Sequence, residues 1–172
     1  MASTYEPIAT YTVPSAAASY TFSSIPSTYT DLVLVVNAGF SNSGGDNQFE
    51  LRFNGDSGSN YSVTSLSGDG SSASSARQSN NTYIEMYQRI SRNSLTSNVI
   101  INIQNYANTT TYKTVLGRTN APDGSSYGSG VGASVNLWRS TAAINSIVLG
   151  NLYGSNTMLT GSTFTLYGIK AA

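Results

Sequence analysis

Apolar and polar residues alternate in short stretches along most of the chain. In the clearest stretch, Phe49, Leu51 and Phe53 fall on one side and polar or charged residues fall on the other. A period of two is typical of a β-strand with one buried and one solvated face. The turn formers of residues 54–60 follow directly, and their Gly, Asn, Asp and Ser residues favour tight backbone turns. Most of the chain repeats this unit of a strand and a polar loop.

The same pattern predicts strands elsewhere, and no window carries a helical period over three turns. Residues 31–40 are apolar on both faces, which predicts an interior strand covered on both sides. Short strands separated by polar loops favour an all-β, single-domain antiparallel β-sandwich over residues 1–172. A jelly roll is the favoured topology and an immunoglobulin-like sandwich is the alternative. The predicted strands cover residues 8–13, 20–23, 31–40, 48–54, 61–65, 82–90, 98–106, 112–118, 131–139, 144–149 and 164–169.

Two segments depart from the alternation. Residues 67–81 include the polar run GDGSSASSARQSNN, which predicts a long Ser-rich surface loop, because connections of this length are unusual inside a domain. Residues 1–8 are interpreted as a possible extended arm. We expect both segments to contact another chain.

The charge content is low and balanced. Eight Lys and Arg residues face eight Asp and Glu residues, and only 9% of the chain is charged. Such a chain has no basic field for nucleic acid or an anionic membrane, and a nearly neutral surface suits a protein inside an assembly. Residues 1–5 do not resemble a signal peptide, and the apolar run Leu32–Val36 is too short to span a bilayer. We therefore expect a soluble protein made in a cytoplasm, with no nucleic-acid or membrane partner.

The chain contains neither His nor Cys, which excludes His-based nucleophilic catalysis, thiolate zinc sites and disulfides. Asn54, Asp56 and Asn60 form a weak calcium-loop candidate. Calcium prefers six or more oxygen ligands with several carboxylates, so an Asx-rich turn is the favoured interpretation and no metal or cofactor is expected. Glu50 and Glu85 could form a glycosidase pair, but the alternation places each on a solvated strand face. No enzymatic activity is expected.

Four residues are candidates for contacts with another molecule: Tyr5, Arg77, Tyr127 and Trp138. Tyr5 lies in the expected arm, and Arg77 lies in the expected loop. Tyr127 occupies a GSSYGSG loop that offers it no local core. Trp138 lies on the face of its strand opposite to Val135, and together with Tyr127 it could stack against a sugar.

Seven segments carry a resemblance to a family of small virion structural proteins of tailed phages, among them phages of cyanobacteria and other aquatic bacteria. These segments are YEPIAT at Tyr5, YTFSSIP and TYTDL between Tyr20 and Leu32, LRFNGDSGSNYS at Leu51, INIQNYANTTTYKT at Ile101, LWRSTAAINSIVL at Leu137 and GSTFTLYGIKAA at Gly161. The resemblance covers nearly the whole chain, and its specificity lies in the order of the segments.

The resemblance implies a non-enzymatic capsid decoration (cement) protein on the virion surface. Its implied partner is the major capsid protein, whose subunits it would bridge, and a homotrimer is the expected oligomer. The alternative is a tail fibre or baseplate component, or a carbohydrate-binding module that contacts a host glycan. Exposed aromatic rings around a groove would favour the glycan.

Overall fold

A computed structural model describes residues 4–41, 48–89, 96–122, 129–151 and 155–170. Within these ranges the chain forms twelve β-strands and no helix. Two antiparallel sheets face each other as a β-sandwich, which confirms the predicted all-β antiparallel fold. The strands are β1 (Tyr5–Thr12), β2 (Ser19–Phe22), β3 (Asp31–Ala38), β4 (Gln48–Phe53), β5 (Tyr61–Gly68), β6 (Ala73–Asn81), β7 (Ile84–Arg89), β8 (Ser97–Ile103), β9 (Lys113–Pro122), β10 (Ser129–Trp138), β11 (Ile147–Gly150) and β12 (Thr163–Ile169).

The larger sheet has eight strands in the order β1-β12-β3-β8-β9-β10-β5-β6, and the smaller has four in the order β2-β11-β4-β7. Eight strands form four pairs, in which strands from the two ends of the chain pair first and strands nearer the middle pair next. These pairs are β1 with β12, β2 with β11, β3 with β8 and β4 with β7. We call these eight strands the body. The other four strands, β5, β6, β9 and β10, continue the larger sheet beyond β8, and we call them the extension.

The hydrophobic core of the body lies between the two sheets. Leu34, Ile101 and Leu166 point inward from three neighbouring strands of the larger sheet and are fully buried. Across the sandwich, the ring of Phe49 stacks on that of Phe164, with 5.9 Å between the ring centroids. The alternation of the sequence therefore supplies one continuous apolar layer.

One row of inward positions in the extension consists of small and polar residues, whereas the large Trp138 fills the core at the end of β10. Gly117, Ser134 and Ser65 lie side by side on β9, β10 and β5, and all three are buried. Met86 of β7 fills the space above them: a Cβ atom at Gly117 would lie 2.2 Å from the Met86 Sδ. The small residues therefore make room for one long side chain from the smaller sheet.

The prediction of a long surface loop over residues 67–81 is wrong. β5 continues to Gly68, and β6 pairs with it along its whole length. The turn between them is closed by the Asp69 carboxylate, which accepts hydrogen bonds from the backbone N–H groups of Ser71 and Ser72. The pattern failed because neither face of β6 is covered, so its strand conformation comes from backbone pairing and carries no apolar alternation.

The predicted arm at 1–8 is also wrong for the described part. Residues 5–8 belong to β1, and Tyr5 pairs with Ile169 of β12, while residues 1–3 lie outside the described residues. β3 is an interior strand as predicted, but Val35 on its outer side is 39% exposed. Its outer face is thus incompletely covered, because the smaller sheet packs on only one side of the larger.

Candidate interaction surface

The outer face of the extension carries a contiguous apolar patch. Leu66 is 64% exposed, Val131 63% and Val135 50%, and Leu116 is also exposed. Ala133 lies directly opposite Leu66, and Val135 lies directly opposite Leu116. Single exposed apolar residues are ordinary on protein surfaces, whereas contiguous ones mark interaction sites. We call these five residues the outer patch.

The orientation of β10 explains why these residues face outward. Its inward residues Ser134, Asn136 and Trp138 are buried. Successive side chains of a strand point to opposite faces, so packing Trp138 in the core turns Val131 and Val135 to the outside. The outer patch is therefore a direct result of the register of this strand.

Four residues of the outer patch line a shallow depression of about 380 Å³. These residues are Leu66, Leu116, Ala133 and Val135. Arg118 also lines it and lies opposite Ala133 in the β9–β10 pair. The surface of the depression is almost entirely apolar, and the Arg118 guanidinium lies at its border. Such a surface can receive an apolar side chain from a partner.

Three arginines surround the outer patch. Arg77 lies on β6 opposite Thr64, and Arg118 lies on β9. Both side chains are exposed, and neither has an ion-pair partner among the described residues. Arg139 differs, because its guanidinium donates to the Ser59 carbonyl oxygen at 2.6 Å and to Asn80 Oδ1 at 3.0 Å. Arg77 and Arg118 are therefore available for an external anion.

Among the described residues, no carboxylate on the outer face of the extension pairs with Arg77 or Arg118. Asp69, in the turn at the tip of the extension, accepts hydrogen bonds from its own turn, which hold the pKa of its carboxyl below the ordinary value. Glu6 pairs with Lys170 at 2.6 Å, and the Asp31 carboxylate accepts the Asn105 N–H at 2.6 Å, both in the body. The described outer face of the extension is thus apolar at its centre and positive at its margin.

The oxygens of the calcium-loop candidate serve the fold. The Asp56 carboxylate accepts hydrogen bonds from Trp138 Nε1 at 2.7 Å, from the Gly58 N–H at 2.8 Å and from Asn60 Nδ2 at 3.0 Å. Burial acts to raise the pKa of Asp56, but these donors outweigh it and hold the pKa below its ordinary value. The carboxylate therefore receives N–H groups where a cation would need open oxygens.

Asn54 has a similar structural role in the left-handed region, with φ at 52°. Its Oδ1 accepts hydrogen bonds from the N–H groups of Asn145 and Ser146, and its Nδ2 donates to the Ala143 carbonyl oxygen. The Asx-rich turn predicted for this loop thus ties it to the segment before β11. Among the described residues, no group of three or more Asp, Glu, His or Cys side chains could hold a metal ion.

The four predicted contact residues lie in different environments or outside the described residues. Trp138 is buried against Phe53 and Tyr61, so its prediction as a contact residue is wrong. Tyr127 lies outside the described residues. Tyr5 is exposed on β1, while Arg77 lies on β6 at the other edge of the larger sheet, about 34 Å away at the usual strand spacing. Of the three candidates that the structure describes, Arg77 is the one that borders the outer patch.

Sequence reasoning missed Leu66, Val131 and Val135 as surface residues. A signal was present in β10, where the apolar face of Val131 and Val135 stands opposite a face that holds the one Trp of the chain. A large aromatic residue on the less apolar face indicates which side is buried. The alternation alone does not make this choice.

The prediction that Glu50 and Glu85 lie on solvated strand faces is also wrong. They are directly opposite each other in the β4–β7 pair, and both are buried. Both side chains make interactions with other residues of the chain. The glycosidase pair considered for these two residues stays a hypothesis, and the burial of both side chains among the described residues does not favour it.

Comparison with protein-family models and with curated proteins gives no match to this chain. Within the described ranges, no helix has the length and apolar character needed to cross a membrane.

Proposed function

We propose that this chain is a non-enzymatic structural protein of a phage virion, and that it acts as a capsid decoration (cement) protein that bridges major capsid subunits. The observation that carries the proposal is the outer patch, because a contiguous exposed apolar surface suits a permanent protein contact. The resemblance of the sequence to virion structural proteins of tailed phages supports the assignment to a phage particle. In this proposal the protein is made in the host cytoplasm and resides on the capsid surface.

We also propose that the sandwich is a jelly roll. The nested pairing of the body supports this topology, since the first strand pairs with the last and each following strand pairs with the next one inward. A jelly roll has eight strands in two sheets, and the body has the same number. The extension is then an addition of two hairpins to the larger sheet.

A homotrimer is the proposed oligomer, with neither nucleic acid nor membrane as a partner. The low and balanced charge of the chain supports the last point. Light scattering coupled to size-exclusion chromatography measures the oligomer directly. A molar mass equal to that of the monomer would contradict the proposed trimer but would leave the proposed capsid role untouched.

The copy number in purified virions tests the proposed function. A decoration protein should be present in an amount comparable to the major capsid protein, as measured by quantitative mass spectrometry with labelled peptides of both proteins. A copy number that is a small fraction of the major capsid protein would contradict the cement role and favour the tail fibre or baseplate alternative. Absence from the particle would overturn the virion assignment.

A host glycan is the remaining alternative partner. The burial of Trp138 removes one of the two aromatic rings on which this alternative depended. A glycan array with the purified protein tests it, and we expect no specific binding.

A further inference from the structure

We propose that the outer patch binds a protein surface with an apolar centre and carboxylates at its margin, and that Arg77 and Arg118 pair with those carboxylates. This inference rests on the proposed function, because the partner is taken to be a protein of the virion shell. It goes further by assigning the binding face and the chemistry of the surface that covers it.

The apolar centre argues for a protein partner. Leu66, Val131 and Val135 are each half or more exposed, and they belong to the same face of two paired strands. Burying such side chains is favourable by about 25 cal/mol for each Å² of apolar surface removed from water. A polyanion such as nucleic acid would gain little from this surface, since it binds mainly through many phosphate contacts.

The charges argue for a partner with carboxylates. Arg118 lies opposite Ala133, next to the centre of the patch, and Arg77 lies opposite Thr64, whose other neighbour is Val135. Each guanidinium is thus within about one or two strand spacings of an outer-patch residue. Arginine forms two parallel hydrogen bonds with a carboxylate, and an adjoining apolar contact would shield such a pair from water.

The same charges argue against a second copy of this chain on the outer patch. A twofold contact through this face would bring two sets of Arg77 and Arg118 together, since a twofold interface uses the same surface on both subunits. The described outer face of the extension provides no carboxylate to separate them, and like charges in one interface are unfavourable. The surface that complements this face must therefore carry the acidic groups itself.

Zero-length cross-linking tests the pairing. The chain has two lysines, of which Lys113 is buried and Lys170 is paired with Glu6, so the variants Arg77→Lys and Arg118→Lys each introduce one reactive amine at the patch. We expect carbodiimide treatment of virions carrying these variants to form new amide bonds with Asp or Glu of a shell protein, identified by mass spectrometry. Asn37→Lys, on an exposed outer position of β3 in the body, is the matched control and should form none.

Rebinding to particles that lack this protein tests the surface as a whole. We expect the double variants Leu66→Ser/Val135→Ser and Arg77→Glu/Arg118→Glu each to weaken binding about tenfold or more, because they remove buried area or place like charges together. Val35→Ser removes a comparable exposed apolar side chain from the body and should bind as the wild type does. Binding of the wild type should also fall with added salt, whereas the charge-reversed variant should lose this dependence. All substituted side chains are exposed, and a urea denaturation midpoint checks that each variant is folded.

The outcomes separate the inference from the proposed function. Unchanged binding and salt dependence of the charge-reversed variant would overturn the inference while leaving a high copy number in the virion intact. Cross-links that join only two copies of this chain would also overturn it and would identify a second copy as the occupant. Failure of the wild type to rebind, together with a low copy number, would overturn both.

Discussion

The body and the extension share one sheet but differ in the residues that they place on its two faces. A single row of inward positions crosses both regions, and it changes from large apolar residues to small and polar ones at the boundary between β8 and β9. On the outer face the change is reversed, because the largest exposed apolar residues of the sheet interior lie in the extension. The inward row runs through Leu166, Leu34, Ile101, Gly117, Ser134 and Ser65.

We propose that this difference separates the residues that stabilise the fold from the residues that bind a partner. The body buries its apolar residues within the chain, where they stabilise the sandwich. In the row of inward positions that crosses both regions, Met86 of the smaller sheet covers the small residues of the extension, and Leu66 and Val135 remain exposed on the opposite face. Substitutions on the inner face of the body should therefore reduce stability, whereas those on the outer face of the extension should reduce binding.

The largest effect is expected from a matched pair of leucine substitutions. Leu34→Ala opens a cavity in the body and should lower the free energy of unfolding by about 2–5 kcal/mol. Leu66→Ala, on the outer face of the extension, should change it by no more than about 0.5 kcal/mol. Urea denaturation followed by Trp138 fluorescence measures both. Equal losses would mean that the two regions do not differ as described.

A smaller effect is expected where the two regions are joined. Asp56 follows β4 of the body and accepts the indole N–H of Trp138 at the end of β10. Asp56→Asn should lower the free energy of unfolding by about 1.5–3 kcal/mol, the usual range for a hydrogen bond to a charged group. Asp69→Asn, in the exposed turn of the extension, is the matched control and should cost less. A larger loss for the control would contradict the special role of Asp56.

The lowered pKa of Asp56 also predicts a pH dependence. The folded state binds this proton less readily than the unfolded state, so the contribution of Asp56 is present above the ordinary pKa and is lost as pH falls through the folded pKa. The wild type should lose stability between neutral pH and about pH 3, and Asp56→Asn should lose less over the same interval. Urea midpoints for both proteins at two pH values measure this difference, and parallel losses would refute it.

The smallest effect is expected at the inner face of the extension. Gly117→Ala forces Met86 to move, since the added Cβ would lie 2.2 Å from its Sδ, and overpacking of this kind costs about 1–3 kcal/mol. In a Met86→Ala background the same substitution should cost much less, because the Ser134 Oγ, 3.0 Å from the added Cβ, then remains as the nearest contact. An equal cost in both backgrounds would show that Met86 is not the cause.

The sequence predicts the strands better than it predicts their faces. Alternation located nearly every strand, because a half-buried strand must alternate. It missed β6, whose two exposed faces need no apolar residues, and it could not indicate which face of β10 is buried. Trp138 and Glu50 were assigned to solvated surfaces for the same reason: the period of two divides a strand into faces, whereas tertiary packing decides which of them is covered.

The pairing of β1 with β12 has a consequence for the order of folding. Thr10 donates a hydrogen bond to Thr165, and the two residues are 155 positions apart in the chain. Contacts between such distant residues slow folding, because loop closure must precede the stabilisation they provide. The hairpins β5–β6 and β9–β10 join neighbouring strands and require only local contacts. During synthesis we therefore expect these hairpins to form first, and the sandwich to close only after β12 has left the ribosome.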